Sequence, residues 1–65
     1  MERILSYFYF TGEDIDGNYI EADWPKPMSD LQAEFEAKAI LRQVGGGHID
    51  AWYSETDELA FSIEI

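Results

Sequence analysis

Carboxylates are the chemically active side chains that this sequence supplies in excess. Its 65 residues include 14 Asp and Glu against 4 Lys and Arg, one histidine and no cysteine, for a formal net charge of −10. Paired carboxylates act as general acid and base only in a cleft that shifts their pKa values. His48 has only Asp50 nearby as a second metal ligand, and no serine lies in a nucleophile motif. We therefore expect a protein that is not an enzyme and carries no metal or cofactor.

The sequence DIDGN, residues 14–18, suggests a second kind of chemistry. It matches part of an EF-hand calcium loop, but positions 1 and 12 of that loop would be Gly12 and Asp23. Asp-Gly is also a strong signal for a β-hairpin turn. We favour the hairpin, and a weak calcium-binding module that uses Asp14 and Asp16 is a less favoured alternative.

One helix is predicted over about residues 30–44. Ser29 and Gln32 have the spacing of a capping box, Glu34 and Lys38 form an i,i+4 pair, and a run of three glycines ends the helix at Gly45. One arc of the helix is expected to cover a sheet, and it consists of Ala33, Ala37, Ile40, Leu41 and Val44.

Leu31 and Phe35 fall on a different side of the predicted helix. We expect them to pack against Met28 and the proline turn, residues 25–27. If they are exposed instead, they would form a contact with another protein.

Four strands are predicted over about residues 3–11, 18–24, 48–54 and 58–65. The order β-β-α-β-β predicts a single α+β domain over residues 1–65, a two-layer sandwich with one helix on a four-stranded, mainly antiparallel sheet. The first and last strands are the most apolar, so we expect them at the centre, in the strand order 2-1-4-3. The helix side of the sheet is expected to hold Ile4, Phe8, Phe10, Ile20, Ala22, Trp24, Ile49, Ala51, Tyr53, Leu59, Phe61, Ile63 and Ile65.

The opposite side of the sheet is the candidate partner-binding surface. Residues two apart on a strand lie about 6.6–6.8 Å apart on one face, close in scale to neighbouring phosphates on a nucleic-acid strand. Aromatic rings among carboxylates suit an interface, because rings give contact area and carboxylates pair with Arg or Lys. The candidate residues on this face and in the acidic turns are Tyr7, Tyr9, Tyr19, Trp52, Glu13, Asp14, Asp16, Glu21, Asp23, Asp50, Glu55, Asp57, Glu58 and Glu64.

The charge balance indicates a strongly basic partner, with plain solubility as the alternative. Direct nucleic-acid binding is not expected, because phosphate recognition needs clustered Lys and Arg. No membrane segment is expected either, and a cysteine-free chain without a signal peptide is expected to be intracellular. A monomer is favoured over a dimer, because the charge opposes self-association.

In length, charge and acidic hairpins, the chain resembles the small phage-encoded anti-CRISPR proteins, particularly those that mimic DNA. The resemblance covers the whole chain in character but includes no motif, so it assigns no residue. It implies an inhibitor that occupies the basic DNA-binding channel of a CRISPR surveillance complex, with a type I Cascade-like complex as the first expectation, in the cytoplasm of an infected bacterium. The alternative function is a small adaptor or regulatory subunit that binds through Leu31 and Phe35 on the helix.

Overall fold

The computed structural model describes residues 4–65, which form one helix and four strands. In chain order these are β1 (Phe8–Asp14), β2 (Tyr19–Asp23), α1 (Asp30–Val44), β3 (Gly47–Tyr53) and β4 (Leu59–Glu64). The predicted α+β fold, with one helix and a four-stranded antiparallel sheet, is confirmed. The predicted start of the first strand at residue 3 lies outside the described residues. Within them, Ser6 forms an isolated bridge with Met28 before regular pairing starts at Phe8.

The strand order is β2-β1-β3-β4, so the predicted order 2-1-4-3 is wrong. β1 is an interior strand as predicted, but the other interior strand is β3, and β4 lies at an edge. β2 and β3 both pair antiparallel with β1, so the connection through α1 crosses a single strand. The predicted order would have required it to cross two, whereas connections in sheets are usually short.

Gly12 explains why β3 can lie beside β1. A Cβ atom at Gly12 would collide with the backbone carbonyl of His48 and would come within 2.9 Å of the Ile49 Cα. A glycine inside a strand often marks such a close approach of two backbones. Gly12 is opposite Ile20 on one side and Ile49 on the other, and it occupies the buried side of the sheet.

The core lies between α1 and the sheet. Phe8, Phe10, Ile49, Ala51 and Leu41 are almost fully buried. Ala33 and Ala37 are also buried, and their small side chains bring the helix close to the strands as predicted. Trp24 packs on Phe10 with ring centroids 4.8 Å apart, which extends the core beneath β2.

The helix ends are formed largely as the sequence predicts. The Ser29 hydroxyl accepts a hydrogen bond from the Gln32 amide at 3.1 Å, and Gly45 closes the helix in the left-handed conformation with φ 89°. The Gln32 side chain does not complete the capping box, because it donates to Glu36 at 2.9 Å. Lys38 and Glu34 form the predicted ion pair at 3.2 Å.

The structure corrects two predictions for α1. Leu31 and Phe35 do not pack against Met28, since their side chains are 63% and 62% exposed. Val44 was expected in the buried arc but is exposed at the last turn. The buried arc is therefore shorter and narrower than the sequence suggests, and small residues dominate it.

Three residues predicted on the helix side of the sheet, Ile4, Leu59 and Ile65, are exposed instead. Ile4 precedes the regular part of β1, and Ile65 follows the last residue of β4. Leu59 is displaced by a register shift between β3 and β4 that pairs it with Trp52 and leaves Ala60 packed against the core. Such a bulge adds one residue to a strand and changes which side chains face inward.

Candidate partner-binding face

The side of the sheet opposite α1 consists of twelve strand positions in three rows across the four strands. We call these twelve positions the open face. The first row holds Tyr19, Glu13, His48 and Glu64; the second holds Glu21, Thr11, Asp50 and Ser62; the third holds Asp23, Tyr9, Trp52 and Leu59. These rows alternate with rows of core residues, such as Ala22, Phe10, Ala51 and Phe61.

The open face carries five carboxylates and no Lys or Arg. The carboxylates are Glu13, Glu21, Asp23, Asp50 and Glu64. Side chains two apart along one strand are separated by about 6.6–6.8 Å, and adjacent strands by about 4.7–4.9 Å. A set of negative charges at these spacings produces a field that extends beyond the surface, since no cation within the rows neutralises it.

Tyr9 and Trp52 form a fixed aromatic platform in the third row. Their rings are nearly parallel, at 13°, with centroids 6.3 Å apart. Trp52 Nε1 donates a hydrogen bond to Thr11 Oγ1 at 2.9 Å, and the Tyr9 hydroxyl donates to Asp57 at 3.0 Å. Because the polar end of each ring is held, the platform loses little conformational entropy when a partner covers it.

Hydrogen bonds and the local environment position one carboxylate of the open face and keep its two phenols protonated. The Ser62 hydroxyl donates to Asp50 at 2.7 Å, which orients the carboxylate. Local desolvation, and then the nearby Asp57 carboxylate, raise the pKa of Tyr9. Desolvation, followed by Glu21, likewise raises the pKa of Tyr19. Both phenols therefore stay neutral hydrogen-bond donors at physiological pH.

Asp14 is part of a turn. Its Oδ1 atom accepts hydrogen bonds from the amides of Asp16 and Asn18, both at 2.9 Å, and its Oδ2 accepts from the Asn18 side chain at 3.1 Å. These bonds, above all those from Asn18, lower the pKa of the Asp14 carboxyl. Both oxygens of the carboxylate that a calcium site would need are therefore hydrogen-bonded within the hairpin. Among residues 4–65, no group of three or more His, Asp or Glu side chains is placed to hold a metal ion.

The remaining candidate residues lie beyond the rows, at both ends of the sheet. Tyr7 is not beside Tyr9 in a strand. It lines a shallow hollow of about 380 Å³ with Ile4, Leu5, Glu55 and Glu58, next to the β3–β4 turn.

Asp57 belongs to the same turn and joins the open face through its bond to Tyr9. Asp16 is exposed in the β1–β2 turn at the opposite end. The structure thus brings together nine of the fourteen candidate residues, namely Tyr9, Glu13, Tyr19, Glu21, Asp23, Asp50, Trp52, Asp57 and Glu64.

Three polar members of the open face were not among the candidate residues: Thr11, His48 and Ser62. Thr11 accepts a hydrogen bond from Trp52, and Ser62 donates one to Asp50, so both contacts depend on strand pairing. Alternation along β3 and β4 is sufficient to place His48 and Ser62 on this side of the sheet. The bond from Trp52 to Thr11 could not be found from alternation, because it depends on the pairing of β1 with β3.

No protein-family model, curated protein or solved structure was found to match this chain. Over residues 4–65, no helix is both long enough and apolar enough to cross a membrane.

Proposed function

We propose that this protein is a non-enzymatic inhibitor whose open face occupies the basic nucleic-acid-binding groove of another protein. The observation that carries the proposal is the set of five carboxylates in three rows with no Lys or Arg among them. A groove that binds phosphates presents Arg and Lys at repeated spacings, and carboxylates in a fixed array compete for the same cations.

The aromatic platform supports the same function. Tyr9 and Trp52 offer flat surfaces on which an Arg guanidinium can stack while Asp23 and Asp57 pair with its charge. Tyr and Trp are also the residues that most often dominate the energy of protein interfaces. The carboxylates would then govern the association rate and salt dependence, and the rings would slow dissociation.

The charge outside the open face extends the proposed contact. The β1–β2 turn and the β3–β4 turn lie at opposite ends of the sheet, because β1 and β3 run antiparallel. Both turns are acidic, so the negative charge continues beyond the rows at each end of the open face. We propose a CRISPR surveillance complex of type I as the partner, which rests on the resemblance in size and charge to anti-CRISPR proteins that mimic DNA.

A capture experiment tests the class of partner. The tagged protein is mixed with a purified type I surveillance complex and, separately, with lysate of a cell that contains other nucleic-acid-binding complexes. We expect a captured complex to be released by its own duplex DNA and by raised salt. Retention of the complex at saturating DNA would show that the two ligands do not share a groove.

The adaptor function is the second candidate, and the exposure of Leu31 and Phe35 is the observation in its favour. Phe35→Gln distinguishes the two, because it leaves every open-face residue in place. An inhibitor acting through the open face keeps its activity in this variant, whereas an adaptor loses its binding.

A further inference from the structure

The exposed side of α1 carries a stripe that the proposed function does not use. Its members are Leu31, Phe35, Lys38 and Arg42, at spacings of four, three and four residues. This is the spacing of the contact seam between two packed helices. Together with Glu34 these residues line one shallow groove along the helix, which we call the helix seam.

The helix seam differs in charge from the rest of the chain. Lys38 and Arg42 outnumber Glu34, so the seam has a formal charge of +1 in a chain of −10. Most other surfaces of two copies would repel each other on contact. The helix seam is a surface on which two such acidic chains can meet without adding to that repulsion.

The order of residues along the helix seam is self-complementary. Its apolar residues lie in the N-terminal half of α1, with Glu34 beside them, and its cations lie in the C-terminal half. If two copies pack with their helices antiparallel, each N-terminal half meets the opposite C-terminal half. Phe35 and Leu31 then lie under the aliphatic stems of Lys38 and Arg42 from the second copy, and Glu34 faces the second Arg42.

We propose that the helix seam is a two-fold contact between two copies of this chain, in place of the monomer that the net charge alone favours. The open face lies on the other side of the sheet, so both copies keep it uncovered. A helix of 15 residues is about 22 Å long, and one such pair covers less than the roughly 1,200–2,000 Å² of a standard stable interface. The dimer is therefore weak, and each copy binds a partner through its own uncovered open face.

Sedimentation equilibrium of the complete chain, over protein concentrations up to about 1 mM, tests the contact. We expect reversible dimerisation that strengthens as salt is raised, because salt screens the long-range repulsion between two chains of −10. Binding of the open face to a basic partner has the opposite salt dependence, so failure of the dimer and failure of the proposed function are separable. A chain that stays monomeric at every concentration overturns the proposal.

Variants identify the surface that forms the dimer. Phe35→Gln is expected to weaken dimerisation at least about tenfold, while Ile15→Gln, which changes an equally exposed apolar residue at the β1–β2 turn, leaves it unchanged. Circular dichroism checks that both variants are folded. Equal dimerisation in wild type and Phe35→Gln, or its loss in Ile15→Gln, overturns the assignment to α1.

A charge exchange tests the antiparallel arrangement. Glu34→Arg and Arg42→Glu each place like charges opposite one another in a homodimer, so each variant alone is expected to dimerise more weakly than wild type. A mixture of the two restores both opposite-charge contacts and is expected to form a heterodimer. If the mixture associates no better than either variant alone, the antiparallel geometry is wrong.

Discussion

The hydroxyl of Tyr9 donates a hydrogen bond to the Asp57 carboxylate at 3.0 Å, across 48 residues of sequence. The bond ties the third row of the open face to the β3–β4 turn, where Asp57 itself has a positive φ of 59°. It therefore couples an acidic turn to the aromatic platform. Under the proposed function, a face that is held in this way would meet its partner with its rings and carboxylates already in place.

Tyr9→Phe removes this bond and keeps the ring. We expect a small loss of thermal stability, and faster dissociation from the partner with a nearly unchanged association rate, because the charges remain but the turn is released. Tyr53→Phe is the control, since its ring packs beside Phe8 toward the helix side. Surface plasmon resonance on the captured partner measures both rates. Equal dissociation rates for wild type and Tyr9→Phe would show that the bond plays no part in binding.

Phe10→Ala tests the core beneath the platform. The side chain is fully buried, and its truncation is expected to cost about 3–5 kcal/mol. A domain of this size has only about 5–15 kcal/mol or less in total, so the variant should be largely unfolded at physiological temperature. Phe35→Ala is the same chemical change at an exposed position, and we expect its free energy of unfolding to be close to wild type. Chemical denaturation, monitored by tryptophan fluorescence, compares the two variants. Similar unfolding midpoints would contradict the burial of Phe10 in the core.

Gly12→Ala tests the pairing of β1 with β3. The added methyl group would collide with the His48 carbonyl, so we expect the sheet to separate at this point and the protein to unfold. Gly17→Ala adds the same group where nothing lies within 4 Å, and only its φ of 87° opposes the change, at a cost of about 1 kcal/mol. Amide hydrogen exchange distinguishes the variants. Full protection of β3 in Gly12→Ala would contradict the observed strand order.

The Asp14 turn predicts a dependence of stability on pH. The folded state lowers the pKa of Asp14 below its ordinary value of 3.8 by hydrogen bonding, so the ionised carboxylate stabilises the fold above that pH. As the pH falls through the lowered pKa, this contribution is lost. Asp14→Asn should therefore be less stable than wild type at neutral pH, and the difference should shrink in acid.

Thermal unfolding of both proteins across the acidic range measures this difference. Asp16→Asn is the control for the loss of one charge in the same turn, and we expect its difference from wild type to be smaller. A gap between Asp14→Asn and wild type that stays constant through the acidic range would contradict the role of the Asp14 carboxylate.

The fold was predictable because its local signals agree with one another. The Ser29 cap, the three glycines after Val44 and the alternation in each strand all point to β-β-α-β-β. Strand order was not predictable from apolar content, since Leu59 and Ile65 are exposed at an edge. Gly12 was the missed signal: a glycine in an interior strand indicates the close backbone approach that admits β3.

The residues of the candidate site were predictable where the alternation of side chains along a single strand decides their side of the sheet. Glu21, Asp23, Asp50 and Trp52 lie on the open face as expected, because the side-chain period of a strand is fixed by its geometry. Tyr7 lies outside the rows of the open face, because the regular pairing of β1 begins one residue later, at Phe8. The bonds from Tyr9 and Trp52 depend on residues distant in sequence, and alternation within a single strand carries no information about them.

The central claim is that the open face competes with nucleic acid for one basic groove. The measurement is displacement of fluorescent duplex DNA from the captured partner by wild type, by Glu21→Lys/Asp23→Lys and by Asp30→Lys/Glu36→Lys, a control with the same charge change on the helix. We predict that wild type and the helix variant displace the DNA. Displacement by the open-face variant should be at least about a hundredfold weaker, because lysines at positions 21 and 23 would repel the Arg and Lys side chains of the groove. Equal displacement by the two double variants would contradict the claim.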